Sequence, residues 1–192
     1  MSEQTNPYSP PSAELLPTQA VATSYFVVGE RKFWIMALAT FGLYPIYWWY
    51  RHWVALRDHA RWRCWPVPRA LFPIFFAHGF ARRLAQVMPA SERELGGKLS
   101  RHATVFVVAS IASYFPSLSQ NPLAFLGVVV LLVASFAPLA MLQRAANIVA
   151  GDPKGAANAD LRGANYVAVA LGALMWLLML FPLLVPMEAS TF

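Results

Sequence analysis

The chain has 192 residues, of which 58% are apolar and 12% charged, and it carries a formal net charge of +6. Soluble domains average about 45–50% apolar and about 25% charged residues, so this composition excludes an ordinary water-soluble domain. It predicts an all-α, polytopic membrane protein with four transmembrane helices and one interfacial amphipathic helix.

Residues 1–30 are predicted to form a disordered tail that precedes a helical membrane domain over residues 31–192. The first 24 residues contain four prolines, two glutamates and no Lys or Arg. A segment of this composition has few apolar groups to bury. It also lacks the basic stretch followed by an apolar stretch of a cleavable signal peptide, so the first span is expected to act as its own membrane signal.

Residues 33–50 are the first predicted span. Eighteen uncharged residues lie between Lys32 and Arg51, close to the roughly 20 that cross a bilayer core. Gly42 and Pro45 interrupt the segment, and both weaken a helix in water but are better tolerated in membranes. A full span is the prediction, and a re-entrant hairpin that enters and leaves on one side is the alternative.

The aromatic residues that end this segment predict an anchor at the membrane surface. Trp48, Trp49 and Trp53 surround Arg51, and amphipathic rings prefer the headgroup level of a bilayer. Aromatic rings mixed with cations also occur in platforms that stack single-stranded nucleic acid. Such platforms lie in polar grooves, whereas this one follows an apolar run, so the predicted partner is lipid and not nucleic acid.

Residues 69–88 predict an amphipathic helix that lies on the cytoplasmic leaflet. Arg69 and Arg82 enclose only twelve uncharged residues, too few to span. Arg82 and Arg83 fall outside an apolar stripe, and this arrangement favours contact with anionic headgroups. The stripe recurs at every fourth position and consists of Phe72, Phe76, Phe80, Leu84 and Met88.

Two long runs without charge predict the remaining spans. No Asp, Glu, Lys or Arg occurs in the 42 residues between Arg101 and Arg144, or in the 25 residues from Gly163 to Met187. The first run contains a polar stretch bounded by two prolines and is therefore divided into spans at 102–117 and 123–142. The third span is placed at 165–186, with Asn165 as its helix cap.

The Lys and Arg residues predict the orientation. Residues 51–101 contain ten of them, residues 144–162 contain three, and residues 117–122 contain none. By the positive-inside rule the two basic loops are cytoplasmic, and the N-terminus, the 117–122 turn and the C-terminus lie outside. Arg31 and Lys32 fit better if the first segment is re-entrant.

The sequence contains no pattern that predicts a catalytic, cofactor or metal site. His52, His59, His78 and His102 are spaced so that no two share a helical face as a metal pair would. His78 is interpreted as a packed or interfacial side chain. Cys64 is the single cysteine, which excludes an internal disulfide and leaves a palmitoylation-competent or inert thiol. The 151–165 loop fails the ligand spacing of a calcium loop and is interpreted as a solvated turn.

Two short motifs resemble the opening of a family of small uncharacterised bacterial membrane proteins defined by a domain of unknown function: Thr40-Phe-Gly-Leu-Tyr44 after Lys32-Phe33, and Tyr47-Trp-Trp-Tyr-Arg51. PRALFPIFFAHGFARRL resembles the next block of that family, and Gln143, Asn147 and Asn165 resemble a later one, so the likeness covers most of residues 31–180. His78 stands where such relatives tend to carry a small polar or aromatic residue. The resemblance implies a bacterial inner-membrane location and no reaction.

These observations predict a non-enzymatic membrane protein that binds anionic lipid, or a membrane partner or second copy, through a basic cytoplasmic face. An oligomeric small-solute channel or transporter is the alternative, favoured by small residues that let helices approach; a membrane enzyme is a third class. The small residues are Gly127, Ala134, Ala137, Gly172 and Ala173. The candidate lipid-interface residues are Trp48, Trp49, Arg51, Trp53, Arg69, Arg82 and Arg83.

Overall fold

A computed structural model of the chain describes residues 25–40, 42–59, 63–117 and 122–184. Helices are the regular elements of these ranges, which confirms the predicted all-α class. The α-helices in chain order are α1 (Glu30–Ala39), α2 (Leu43–His59), α3 (Pro66–Leu71), α4 (Pro73–Gln86), α5 (Arg93–Ala112), α6 (Tyr114–Ser117), α7 (Pro122–Val149) and α8 (Gly163–Leu184).

The break between α1 and α2 corrects the prediction of one continuous span over residues 33–50. Gly42 has a φ of 86°, a conformation that side chains with a Cβ rarely adopt. Its N–H donates to the Ala37 carbonyl at 3.4 Å and closes the end of α1. The Thr40 Oγ1 accepts the Tyr44 N–H at 2.9 Å and satisfies a donor in the first turn of α2.

The start of α1 lies close to the middle of α2. Lys32, near the start of α1, and Arg51, the middle residue of α2, line the same cavity. Lys32 is also within hydrogen-bonding distance of the loop that follows α7. The two charged residues that bound the predicted span therefore lie at one cavity. This geometry favours the re-entrant alternative over the full span.

Residues 25–29 are packed inside the protein, which corrects the predicted limit of the disordered tail at residue 30. Tyr25 and Val28 are 5% and 0% exposed, and α1 begins at Glu30. The extended stretch is ordered because buried polar side chains bind its backbone. The earlier part of the predicted tail, residues 1–24, lies outside the described ranges.

The predicted interfacial helix over residues 69–88 is divided into α3 and α4 at Phe72, which has a ψ of 55°. The buried face of α4 includes Phe80 and Leu84, each 0% exposed. This face packs against α5 and the core. The apolar stripe is therefore covered mainly by protein, and the expectation that it lies on lipid is corrected for these two side chains.

Within the described ranges, two helices are long and apolar enough to cross a membrane: Leu126–Val149 within α7 and Gly163–Phe181 within α8. The span predicted at 102–117 differs from the structure because α5 begins at Arg93 and its first half is charged. The span predicted at 123–142 lies inside a helix that runs on to Val149. The span predicted at 165–186 overlaps α8 except at its ends.

The centre of the core is aromatic, and this position corrects the placement of three tryptophans at the lipid surface. Trp48, Trp49 and Trp53 are at most 1% exposed. Phe80 of α4 lies 6.0, 5.2 and 5.7 Å from their ring centroids in edge-to-face geometry. Such pairs add about 0.5–1.5 kcal/mol each to the burial of apolar area. The three rings hold α2 against α4.

Candidate functional site: a basic pocket beside an apolar groove

Two buried amides on α7 organise the region around residues 25–32. Gln143 and Asn147 are 2% and 3% exposed and stand one helical turn apart. The Gln143 Nε2 donates to the Asn147 Oδ1 at 2.6 Å. A buried polar group costs free energy unless it is paired, and further contacts of both amides supply partners from α2 and from the extended stretch.

Gln143 fixes two side chains of α2. Its Oε1 accepts the Trp48 indole N–H at 2.5 Å and lies 3.1 Å from the His52 Nε2. Because an amide oxygen only accepts, the His52 hydrogen is on Nε2, and Nδ1 accepts the Phe26 N–H at 3.4 Å. Burial lowers the pKa of His52 to about 3. This imidazole is neutral and structural.

The same amides bind the backbone of residues 26–28. The Phe26 carbonyl accepts from Gln143 Nε2 at 2.9 Å. The Val28 N–H and carbonyl pair with the Asn147 side chain at 3.3 and 2.9 Å. Side chains thus take the place of a neighbouring strand and satisfy backbone groups that would otherwise be buried unpaired.

The loop after α7 covers the other side of this stretch. The two Asp152 carboxylate oxygens accept the N–H groups of Ala156 and Ala157, both at 2.9 Å; these backbone bonds lower the pKa of Asp152. Gly155 has a φ of 65°, and a Cβ at this position would lie 2.4 Å from the Val28 carbonyl oxygen. The loop predicted as a solvated turn is therefore packed on one side.

Lys32 is a buried cation with neutral partners. It is 5% exposed. Its Nζ donates to the Asn158 side-chain oxygen at 2.7 Å and to the Asp160 backbone carbonyl at 2.8 Å. Burial lowers the pKa of Lys32, with a further lowering from Arg162 and an opposing effect of the Asp160 carboxylate.

Lys32 opens onto a cavity of about 400 Å³, here called the basic pocket. Two more cations line it: Arg51 of α2 and Arg162 at the start of α8. The Arg51 guanidinium stacks over the Phe26 ring at 5.1 Å. The remaining lining residues are Val27, Tyr44, Tyr47, Asn158 and Asn165. The lining contains no carboxylate side chain, so its chemistry matches an anion.

Tyr44 contributes a buried hydroxyl to this wall. The residue is 5% exposed, and its Oη has no hydrogen-bond partner among the described residues. Buried hydroxyls are normally paired because desolvation is costly. Tyr44 lines the basic pocket and also the neighbouring cavity. The Tyr44 side chain therefore borders the junction of the two cavities.

The neighbouring cavity of about 450 Å³ is here called the apolar groove. One wall is the end of α1 and the start of α2, and the other is one face of α8. It shares Tyr44, Tyr47 and Asn165 with the basic pocket. The α8 residues on the groove side are Ala164, Asn165, Ala168, Leu171, Gly172 and Met175. Their spacing keeps them on one helical face.

Two contacts in the middle of α8 hold it against the end of α1. A Cβ at Gly172 would lie 1.7 Å from the Ala39 carbonyl oxygen, so the two backbones touch. The Trp176 indole donates to the Leu38 carbonyl at 2.9 Å. At the start of α8 the Asn165 side chain accepts the Arg162 N–H at 3.0 Å, so Asn165 caps the helix from its first turn.

The predicted interface residues do not form one surface. Arg51 joins the basic pocket. Arg69 is half-buried, with its guanidinium 4.9 Å from the Trp53 ring and 4.8 Å from the Phe76 ring. Arg82 is exposed and Arg83 is half-buried on α4.

Cys64 and His78 have local contacts. The Cys64 thiol is buried and donates to the Trp53 carbonyl at 3.6 Å; burial raises its pKa against the opposing effect of nearby arginines, Arg69 foremost. The His78 Nε2 lies 3.0 Å from the Thr104 hydroxyl and links α4 to α5. In the described ranges no three His, Cys, Asp or Glu residues are grouped as metal ligands.

The sequence interpretation missed the site residues Lys32, Tyr44, Asn158 and Arg162. One feature of the sequence pointed to Lys32: the four-span topology placed this cation outside the membrane, against the positive-inside rule. A second signal was the polar pair Gln143 and Asn147 at the end of an apolar helix, which indicated buried hydrogen bonding.

Comparison with known proteins adds no relative: no family model, curated protein or solved structure matches the chain. The resemblance to the bacterial membrane family therefore stays a prediction. Its motif residues Lys32, Tyr44, Arg51 and Asn165 nevertheless meet at the basic pocket.

Proposed function

We propose that the chain is a non-enzymatic membrane protein that binds anionic lipid of the bilayer in which it sits. The observation that carries this proposal is the basic pocket, which contains three cations and shares part of its wall with an apolar groove along α8. Cations at a membrane surface attract anionic headgroups. An adjoining apolar surface offers a place for the rest of a lipid molecule.

The placement of the apolar surface supports insertion in a membrane. Exposed aliphatic and aromatic side chains line the second half of α5 and most of α8, and an area of that extent is costly in water. In α8, Gly172 is the only buried residue between residues 163 and 181. Lipid is the solvent that suits this helix.

The proposed topology has α1 and α2 as a re-entrant pair, with α5, α7 and α8 crossing the bilayer. The N-terminal side, the long basic segment and the 151–162 loop are then all cytoplasmic. The contact of Lys32 with Asn158 supports this arrangement. It differs from the four-span prediction in placing Arg31 and Lys32 inside, as the positive-inside rule prefers. The bacterial inner membrane is the proposed location.

The pocket favours binding over catalysis. Its lining offers cations, amides and phenols, and these groups hold an anion. Acyl transfer or hydrolysis needs a nucleophile beside a base, and His52, the nearest imidazole, is occupied on both nitrogens.

Gly172, one of the small residues that favoured an oligomeric channel, does not support that alternative. It packs within one chain, where it lets α8 approach the end of α1 closely.

Lipid retention tests the proposal. The protein is purified in a mild detergent from a membrane with equal amounts of phosphatidylglycerol and phosphatidylcholine, and its bound lipids are counted by native mass spectrometry. Preferential retention of phosphatidylglycerol is expected. Equal retention of the two lipids, or none of either, would overturn the proposed function.

A further inference from the structure

We infer that the basic pocket and the apolar groove form one site for a phosphate-bearing lipid, with the phosphate in the pocket and one acyl chain in the groove. The inference rests on the proposed function and names the site and the ligand class. The acidic group of this lipid is a phosphodiester. One acyl chain of the lipid lies between α8 and the α1–α2 pair.

The hydrogen-bonding capacity of Lys32 supports a ligand. An ammonium group has three donors, and the Lys32 Nζ uses two of them on Asn158 and Asp160. Both acceptors are neutral oxygens, so within the described ranges the buried cation has no direct ion pair. An anionic oxygen in the pocket would take the third donor and supply the missing counter-charge.

Arg51 and Arg162 complete the charge. Arg51 is held in place by the Phe26 and Tyr47 rings at 5.1 and 5.9 Å. Arg162 precedes the first turn of α8, where unpaired N–H groups and the helix dipole also favour an anion. The Asp160 carboxylate opposes the lowering of the Lys32 pKa, and it leaves an excess of positive charge among these side chains. With three cations and one carboxylate, the pocket is expected to prefer an anionic ligand.

Tyr44 marks where the headgroup meets the chain. Its hydroxyl is buried without a partner among the described residues, in a side chain that lines both cavities. A phosphate oxygen at this junction would accept the Tyr44 O–H. A free inorganic anion could occupy the pocket alone, but it would leave the apolar groove empty.

The dimensions of the groove fit one leaflet. Its α8 wall runs from Ala164 to Met175, which at 1.5 Å per residue is roughly 16 Å. Half of a bilayer core about 30 Å thick is roughly 15 Å. The basic pocket lies at the N-terminal end of this wall, where α8 leaves the polar loop. A lipid with its phosphate at the surface would therefore extend its chain along the whole wall.

Native mass spectrometry of matched variants tests the site. Replacement of two pocket cations, Lys32→Met with Arg162→Met, is expected to lower phosphatidylglycerol retention about 30-fold, or about 2 kcal/mol at 1.4 kcal/mol per tenfold. The control Arg82→Met with Arg83→Met removes the same charge from α4 and is expected to change retention less than about twofold.

Two further variants guard against a folding defect in the double variant. Tyr44→Phe removes only a hydroxyl that has no hydrogen-bond partner among the described residues, and about tenfold weaker retention is expected from the loss of one bond to a charged group. Ala168→Phe fills the groove without changing any charge and is expected to displace the chain. Thermal unfolding of both should match the wild type.

The outcomes separate this inference from the proposed function. If the wild type retains phosphatidylglycerol and every pocket and groove variant retains it equally well, the proposed site is overturned and the proposed function stands. Wild type that retains no anionic lipid would overturn both. Displacement of the lipid by millimolar inorganic phosphate, with Ala168→Phe unaffected, would show a free-phosphate site and overturn the lipid assignment.

Discussion

The two basic regions of this protein differ in what lies opposite their cations. In the basic pocket, Lys32, Arg51 and Arg162 line a cavity whose wall includes a hydroxyl with no hydrogen-bond partner among the described residues. In α3 and α4, here called the basic helix pair, Arg69 covers aromatic rings and Arg82 faces outward. Both regions are basic, but the pocket cations line a cavity that shares part of its wall with the apolar groove.

The difference shows that cation density alone does not identify a binding site. The basic helix pair belongs to a sequence segment, residues 51–101, with ten cations, of which only Arg51 is among the pocket cations; Lys32 and Arg162 lie outside this segment. Exposed cations are well solvated and contribute little. Lys32 is buried and already desolvated, so a ligand that reaches it gains more, whereas Arg51 and Arg162 are exposed like Arg82.

The largest expected effect comes from Gln143→Leu, which should damage the basic pocket before the basic helix pair. The substitution leaves the Trp48 N–H, the His52 N–H and the Phe26 carbonyl without their partner. At about 1–3 kcal/mol for each buried unpaired group, a loss of about 4 kcal/mol in the free energy of unfolding is expected. Thermal unfolding in detergent measures it.

Hydrogen exchange locates the damage from Gln143→Leu. Amides of residues 26–33 should exchange faster, while amides of α4 change little. The exposed Gln86 provides the control as Gln86→Leu, which should alter neither region. Equal acceleration in α4 would show that the two basic regions unfold together and would break the comparison.

A smaller effect is expected from Gly155→Ala, which separates the loop from the extended stretch on one side of the pocket. The new Cβ would lie 2.4 Å from the Val28 oxygen at a φ of 65°, whereas Gly151 has a φ of 77° with open space around it. Both substitutions incur about 1–2 kcal/mol of left-handed strain. Only Gly155→Ala adds a clash, expected to raise its cost by about a further 1–2 kcal/mol.

Unfolding midpoints of the two glycine variants decide this point. If Gly151→Ala is as destabilising as Gly155→Ala, the loop does not press on residues 28–29, and the pocket wall is not built as described.

The smallest of these effects is a pH dependence from His52, which supports the pocket through Phe26 and contacts α4 through Phe80. Its pKa is about 3 in the fold against 6.5 as the ordinary value, so the unfolded chain binds more protons between these limits. Stability is therefore full above pH 6.5 and falls as the pH decreases. From pH 7 to 5.5 the expected loss is about 1.3 kcal/mol.

His52→Asn, which cannot titrate, should reduce this pH slope, and the exposed His59→Asn should keep it. Identical slopes in the wild type and His52→Asn would mean that His52 is not buried neutral.

The sequence predicted a helix correctly where the composition of that segment alone is decisive. The 25-residue uncharged run predicted α8 to within about two residues at each end, because an apolar helix of that length has few other solutions. Gly42 and Pro45 indicated the break after α1, although Pro45 lies inside α2. An aromatic-rich segment such as residues 44–53 predicts either a lipid-facing belt or a buried core, and only the packing of Phe80 against it decides.

The candidate site was not predictable because its parts meet only in the tertiary fold. Lys32 and Asn158 are 126 positions apart, and the residues between them give no local sign of the contact. Arg51 was selected for a lipid role from its sequence neighbours, and only the tertiary fold brings it to one cavity with Lys32 and Arg162. Periodicity reports the face of a helix but not what covers that face.

Photo-crosslinking tests the central claim most directly, that pocket and groove hold one lipid. A phosphatidylglycerol analogue with a diazirine on its acyl chain is bound and irradiated, and the labelled residues are mapped by mass spectrometry. Labels are expected on Ala168, Leu171 or Met175, and they should decrease in the Lys32→Met, Arg162→Met variant while labels on the exposed Leu174 and Leu178 do not. Groove labels that persist unchanged in that variant would contradict the account.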